Sequence, residues 1–199
     1  MEITATLVKE LRETTGVGMM DCKKSLIETE GDMEKAKDLL RKKGLATLAK
    51  RSDKIASEGI VGSYIHLGGK IGTLIEVNCE TDFVAKNEDF KEFVKDMAMQ
   101  VTASNPLYVS IEDVPAELIA KEKEILAAQS DIMKKPEQMR DKIVEGRLNK
   151  FYEQVCILEQ PFIKDPAIKV KDLIGQKVAK IGEKIVIRRF VRYVLGEGL

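Results

Sequence analysis

A chain of 199 residues has room for one ordinary domain plus a small satellite, and its 44% hydrophobic content is that of a folded globular protein rather than a disordered one. Thirty-three basic residues balance thirty-three acidic ones, so no whole-molecule field attracts nucleic acid or an anionic membrane, and any such binding must be local. Cys22, Cys79 and Cys156 are far apart and form no CxxC; they predict reduced, buried thiols in a cytoplasmic protein, with an intersubunit disulfide as the alternative.

The first segment, MEITATLVKELRE, carries acids at helical spacing and no apolar run of signal-peptide length, and no later segment approaches about 18 consecutive apolar residues. A soluble, unprocessed protein is expected. Residues 1 to about 50 read as three short helices. Ile3, Leu7 and Leu11 recur every fourth residue until Thr14-Thr15-Gly16 stops the first. The second starts at Gly18, with Met19, Cys22 and Leu26 as its apolar face. Asp32 is an N-cap for the third, whose stripe is Met33, Ala36, Leu39 and Leu40; Arg41, Lys42 and Lys43 suit its carbonyl end, and Gly44 is expected to close it.

Lys50 to Lys54 form a polar hinge, so the expected organisation is a three-helix domain with its hinge over residues 1–54 and a core over 55–199. EGIVGSYIHLGGKIGTLIEVN reads as two strands joined at Gly68-Gly69. A long helix with Phe90, Val94, Met97 and Val101 on one face follows, ends at Asn105-Pro106, and leads to a possible short strand at LYVS. From Pro115 two sets of apolar residues seven apart (Leu118, Ile125, Ile132; Ile119, Leu126, Met133) precede a break at Lys134-Lys135-Pro136. A second stripe then runs through Val144, Leu148, Phe151, Val155 and Leu158. The rhythm predicts a coiled-coil-like helical hairpin over about 115–160; two ordinary surface helices are the alternative. Val170 to Ile181 read as a helix and IVIRRFVRYVL as a strand with Ile185, Ile187, Val191, Tyr193 and Leu195 on one face, interrupted by Arg189. Strands and helices without a βαβ rhythm give an α+β fold.

Motifs for chemistry are sparse. Gly16-Val17-Gly18 starts like a dinucleotide fingerprint, but Asp21 stands where the third glycine belongs and a helix precedes it. His66 is the only histidine, which argues against a zinc site and for a structural role. No cofactor, metal or catalytic residue is therefore expected, and no enzyme. Met19 and Met20 read either as an adaptable protein-binding face or as core. Arg188 to Tyr193 interleaves base and aromatic as single-strand nucleic-acid binders do, which leaves an RNA- or ribosome-associated protein as the alternative function. In VNCETDFVAKNEDF, Phe83 is either the first core residue of the long helix, seven before Phe90, or an anchor displayed to a partner beside Asp82.

Four stretches taken together, LRETTGVGMMDCKKSL, VNCETDFVAKNEDF, LEQPFIKD and RRFVRYVLGEG, resemble the bacterial elongation factor Ts family, the guanine-nucleotide exchange factors of elongation factor Tu. The resemblance implies that the N-terminal helices form a ubiquitin-associated (UBA-like) bundle that grips the partner through Leu11, Arg12, Thr15, Gly16, Val17, Gly18, Met19 and Met20. It also implies that Thr81, Asp82, Phe83 and Val84 enter a cleft of elongation factor Tu and disturb its magnesium site. The partner would be bound in GDP-bound and nucleotide-free forms, with no direct nucleic-acid or membrane contact. Since residues 55–199 have room for about one of the two related halves of longer members, the resemblance further implies a homodimer in a 2:2 complex.

Overall fold

The computed structural model describes residues 3–198. Its elements run α1 (Ala5–Thr15), α2 (Met19–Glu28), α3 (Met33–Lys50), β1 (Glu58–His66), β2 (Ile71–Cys79), α4 (Asp82–Ala85), α5 (Glu88–Ser104), α6 (Ala116–Ala127), α7 (Ser130–Met133), α8 (Glu137–Val155), β3 (Pro161–Phe162), β4 (Asp165–Lys169), α9 (Val170–Ile181) and β5 (Ile185–Val194). The fold is α+β. One sheet has the order β1-β2-β5 and a second, antiparallel, pairs β3 with β4. The described residues divide into two compact units. The first holds residues 3–62, Ile75–Lys95 and Lys171–Arg188, and the second Ser63–Leu74, Asp96–Val170 and residues 189–198.

In the first unit, the three N-terminal helices close around Val8, Leu11, Val17, Cys22, Leu26, Ala36 and Leu40. The expected α1 stripe is shifted: Val8 and Leu11 are buried, whereas Ile3 and Leu7 pack at the edge. Gly16, at φ 68°, caps α1 with its N–H on Arg12 O, and Asp32 Oδ1 accepts from Lys35 N at 3.0 Å to start α3. Gly44 does not close α3, which continues to Lys50. The residue is buried where α3 crosses α9, and a Cβ there would lie 2.7 Å from Gly175 O. Its glycine serves helix contact, not termination. Arg41 accordingly lies within the helix rather than at its carbonyl end, and pairs with the buried Asp172.

The β1–β2 hairpin turns through Leu67–Gly69, with Gly68 and Gly69 at positive φ as expected from that dipeptide. Helix α5 buries Phe90, Val94, Met97 and Val101, together with Phe93 and Ala98. In the second unit it carries Gln100, whose amide donates to Gln160 Oε1 (3.2 Å) and Pro161 O (3.1 Å) and accepts from Ile163 N (2.8 Å). The LEQPFIKD stretch thus builds a fully bonded buried polar site. LYVS is no strand: only Tyr108 bridges, to Cys156.

Helices α6 and α8 form the expected hairpin around Leu126, Leu148, Tyr152 and Cys156, with Leu118, Ile119, Val144, Phe151 and Val155 at its margin. Its first arm is broken after Ala127, and Ile125 and Met133 point to water. The β5 face also departs from strict alternation. Ile185 and Ile187 are buried, but Arg188 and Arg189 are both exposed, and beyond them Val191, Tyr193 and Leu195 are exposed while Phe190 and Arg192 turn partly inward. The alternation of buried and exposed residues shifts by one at the arginine pair.

Candidate partner-binding site

Strand β2 ends at Cys79, and the chain reaches α4 through Glu80 and Thr81. Thr81 is extended (φ −129°, ψ 154°), and its hydroxyl accepts from Val84 N at 3.4 Å, which makes it the N-cap. Only four residues of helix follow. Asn87 then interrupts: its N–H donates to Val84 O, and its side chain accepts from Asp89 N at 2.8 Å to open α5. The break separates Phe83 from Phe90, so the seven-residue spacing does not put them on one helical face. Val84 takes the inward position at 5% exposure, and Phe83 projects into water at 79%. The reading of Phe83 as a core residue is therefore overturned. A water-exposed benzyl group on a short, anchored helix has no folding role there and is available to a partner.

Asp82 pairs with Lys86 at 2.7 Å, one turn on, and that bond holds its carboxyl below the usual range and raises Lys86. Beneath the helix the chain is clamped. Glu183 accepts from Thr81 N (3.0 Å) and Thr81 Oγ1 (2.7 Å); Glu80 accepts from Lys184 N (2.6 Å) and Arg51 Nη1 (2.6 Å). The Lys184 N–H lowers the Glu80 carboxyl most; burial opposes it, and Arg51 adds to the lowering. Pattern did not link Arg51, Glu80 and the Glu183-Lys184 pair, which come from three separate parts of the sequence; Arg51 was read only as part of the polar hinge. Only the strand-end position of Glu80 hinted at a role.

The N-terminal candidates separate into two layers. Arg12, Gly18, Met19 and Met20 are exposed, the methionines at 49% and 65%, while Thr15 and Gly16 are half-buried. Leu11 and Val17 lie in the bundle core and cannot themselves be touched by a partner in this fold. Met19, expected on the inward face of α2, points outward; Ser25 is buried beside Leu26 instead. Thr15 braces the loop through bonds to Leu11 O (2.7 Å) and from Val17 N (3.4 Å).

The basic-aromatic stretch is differently used. Arg188 pairs with Glu76 at 2.9 Å, and Arg192 donates to Thr102 O at 3.2 Å. His66 is exposed and stacks on Tyr64. All three cysteines are buried and free; burial raises each thiol, Cys79 and Cys156 to about 11. Among the described residues no group of three or more His, Cys, Asp or Glu is placed to hold a metal ion, and no helix is long and apolar enough to cross a membrane.

A model of the family described as Elongation factor TS matches residues 9–197. Similar proteins named Elongation factor Ts include one from Moorella thermoacetica, 66% identical over 197 residues that cover 99% of this chain and 97% of the relative. Another, from Carboxydothermus hydrogenoformans, is 62% identical over 197 residues, 99% of this chain and 91% of the relative. A third, from Alkaliphilus oremlandii, is 60% identical over 199 residues, all of this chain and 92% of the relative. With matches that run from the first helix to beyond the last strand, the chain belongs to the elongation factor Ts family of translation elongation factors.

Proposed function

We propose that the protein is a guanine-nucleotide exchange factor in translation elongation, which binds elongation factor Tu in GDP-bound and nucleotide-free forms and promotes GDP release. The observation that carries this reading is Phe83, exposed at 79% on a four-residue helix whose neighbour Val84 is buried. In this account Thr81 to Val84 act as one element: Phe83 wedges into the partner's nucleotide-binding domain, Asp82 lies beside it, Thr81 caps the helix and Val84 roots it. The wedge disturbs the partner's magnesium site. Magnesium bridges phosphate oxygens and protein ligands, so displacing it removes the largest favourable charge on GDP. No bond is made or broken by this chain, and it is not an enzyme in the chemical sense.

Residues 1–54 serve as a UBA-like grip, with Arg12, Gly18, Met19 and Met20 touching the partner and Leu11, Thr15, Gly16 and Val17 shaping the surface beneath. Residues 55–199 are the core that carries the wedge and the hairpin at about 115–160. Reciprocity governs the cycle: whatever ratio the factor takes from GDP affinity, GDP takes from the factor's affinity.

The core further acts as a homodimer in a 2:2 complex. Thr73 and Arg192 bond to Thr102 on the α5 side of the sheet (2.9 and 3.2 Å), so Leu74, Val191 and Tyr193 face the other way. Ile65 joins them, since a Cβ on Gly72 would meet its Cδ1 at 3.1 Å. These exposed apolar side chains make one uncovered sheet face, which a second copy is suited to cover.

The test is GDP release from elongation factor Tu with and without this protein over a range of magnesium concentrations. Release should be faster with the protein, and its advantage should shrink as magnesium rises. Release unaffected by the protein at any magnesium concentration would overturn the reading.

A further inference from the structure

The clamp beneath α4 has a more specific consequence. We propose that Glu183, in the short link between α9 and β5, is a positioning residue that sets the direction in which Phe83 is presented; this rests on the exchange reading above. Two oxygens of one carboxylate receive two donors of one residue: Oε2 takes Thr81 N at 3.0 Å and Oε1 takes Thr81 Oγ1 at 2.7 Å. That two-point grip by one carboxylate fixes orientation as well as distance. The gripped residue is the N-cap, two positions before Phe83, and its hydroxyl also accepts from Val84 N.

A four-residue helix has no stability of its own, so its direction comes from what holds its ends. Val84 supplies a greasy pivot but no orientation about that pivot. Glu183 supplies the orientation. The next residue extends the arrangement: Lys184 N donates to Glu80 Oε1 at 2.6 Å, and its ammonium donates to Ser52 O and to Lys54 O (3.0 Å) in the hinge after α3. Arg51 from that hinge reaches the same Glu80 oxygen. Two consecutive residues, Glu183 and Lys184, therefore tie the root of the wedge to the segment that carries the grip.

The protein has no tryptophan, so Phe83→Trp places a single indole at the wedge. Time-resolved anisotropy of that indole reads its local freedom in the full-length chain without any partner. Glu183→Ala in the Phe83→Trp background should enlarge the fast component. Glu183→Gln, which keeps one acceptor oxygen, should give an intermediate value. In parallel, GDP release is measured for Glu183→Ala in otherwise native protein and in Phe83→Ala. Acting through Phe83, the substitution should cost about 10-fold in acceleration in the native background and under about 2-fold in the second.

Unchanged anisotropy would overturn the inference, as would an equal loss in both backgrounds. A Glu183→Ala chain that loses its secondary structure also contradicts it, because the residue would then be holding the fold. Should the unsubstituted protein fail to accelerate release at all, the exchange reading falls, while the anisotropy still decides whether Glu183 orients position 83.

Discussion

Phe83 and Val84 are adjacent apolar residues with opposite duties, and their burial separates what truncation should do to each. Val84→Ala opens a space in the core and should cost about 2 kcal/mol of stability. Phe83→Ala removes a ring already in water and should change stability by less than about 0.5 kcal/mol. Urea unfolding of both variants checks the contrast, and a larger loss for Phe83→Ala would return the ring to the core. The pattern alone could not divide them, because a helix begun at Phe83 puts it over Phe90. Asn87 was the missed signal: an N-cap residue followed by Glu88 and Asp89, the acids expected in a first turn. The cysteines were legible, since spacing excluded any paired motif. With Cys79 and Cys156 pushed up to about 11 by burial and all three enclosed, alkylation at pH 8 should be slow in folded protein and fast in urea. A thiol that reacts rapidly in the native state would contradict that enclosure.

At the scale of elements, periodicity located the helices and the hairpin turn but misjudged where contacts replace local rules. Gly44 looked like a helix stop because glycine commonly follows a helix; its actual use, the crossing of α3 with α9, is a long-range fact that local pattern does not contain. Alanine is the better helix former by about 1 kcal/mol, yet the new methyl would press on the Gly175 carbonyl at 2.7 Å. Gly44→Ala should therefore destabilise by about 1–3 kcal/mol, read as a lower denaturation midpoint; a rise would mean that the crossing is looser than described. Strand β5 was misread for a related reason, since a slip at Arg188-Arg189 is invisible to a strict period of two. Glu80 makes the clamp sensitive to acid. Its folded-state carboxyl lies below the ordinary 4.5, so its stabilisation is present above that value and is lost as pH falls through the lower folded one. Glu80→Gln should flatten the fall in thermal midpoint below pH 4.5; an unchanged acid limb would remove Glu80 from that role.

For the whole molecule, composition placed the chain in the right class, and four stretches along it carried the family resemblance that the comparisons then established. Surfaces for a partner or a second subunit are not legible in the pattern, because a surface that meets another chain obeys no period within this one. The uncovered sheet face predicts a particle of twice 22.3 kDa in sedimentation. Tyr193→Asp, which puts a charge on that face, should shift it to the single-chain mass; a native protein that sediments as one chain would contradict the dimer. The central claim is that Phe83 exists for another protein, and release of a fluorescent GDP analogue from elongation factor Tu tests it most directly. The native chain should accelerate release, and a folded Phe83→Ala should lose about 30-fold or more of that acceleration. Full acceleration by Phe83→Ala, or none by the native chain, would contradict the account.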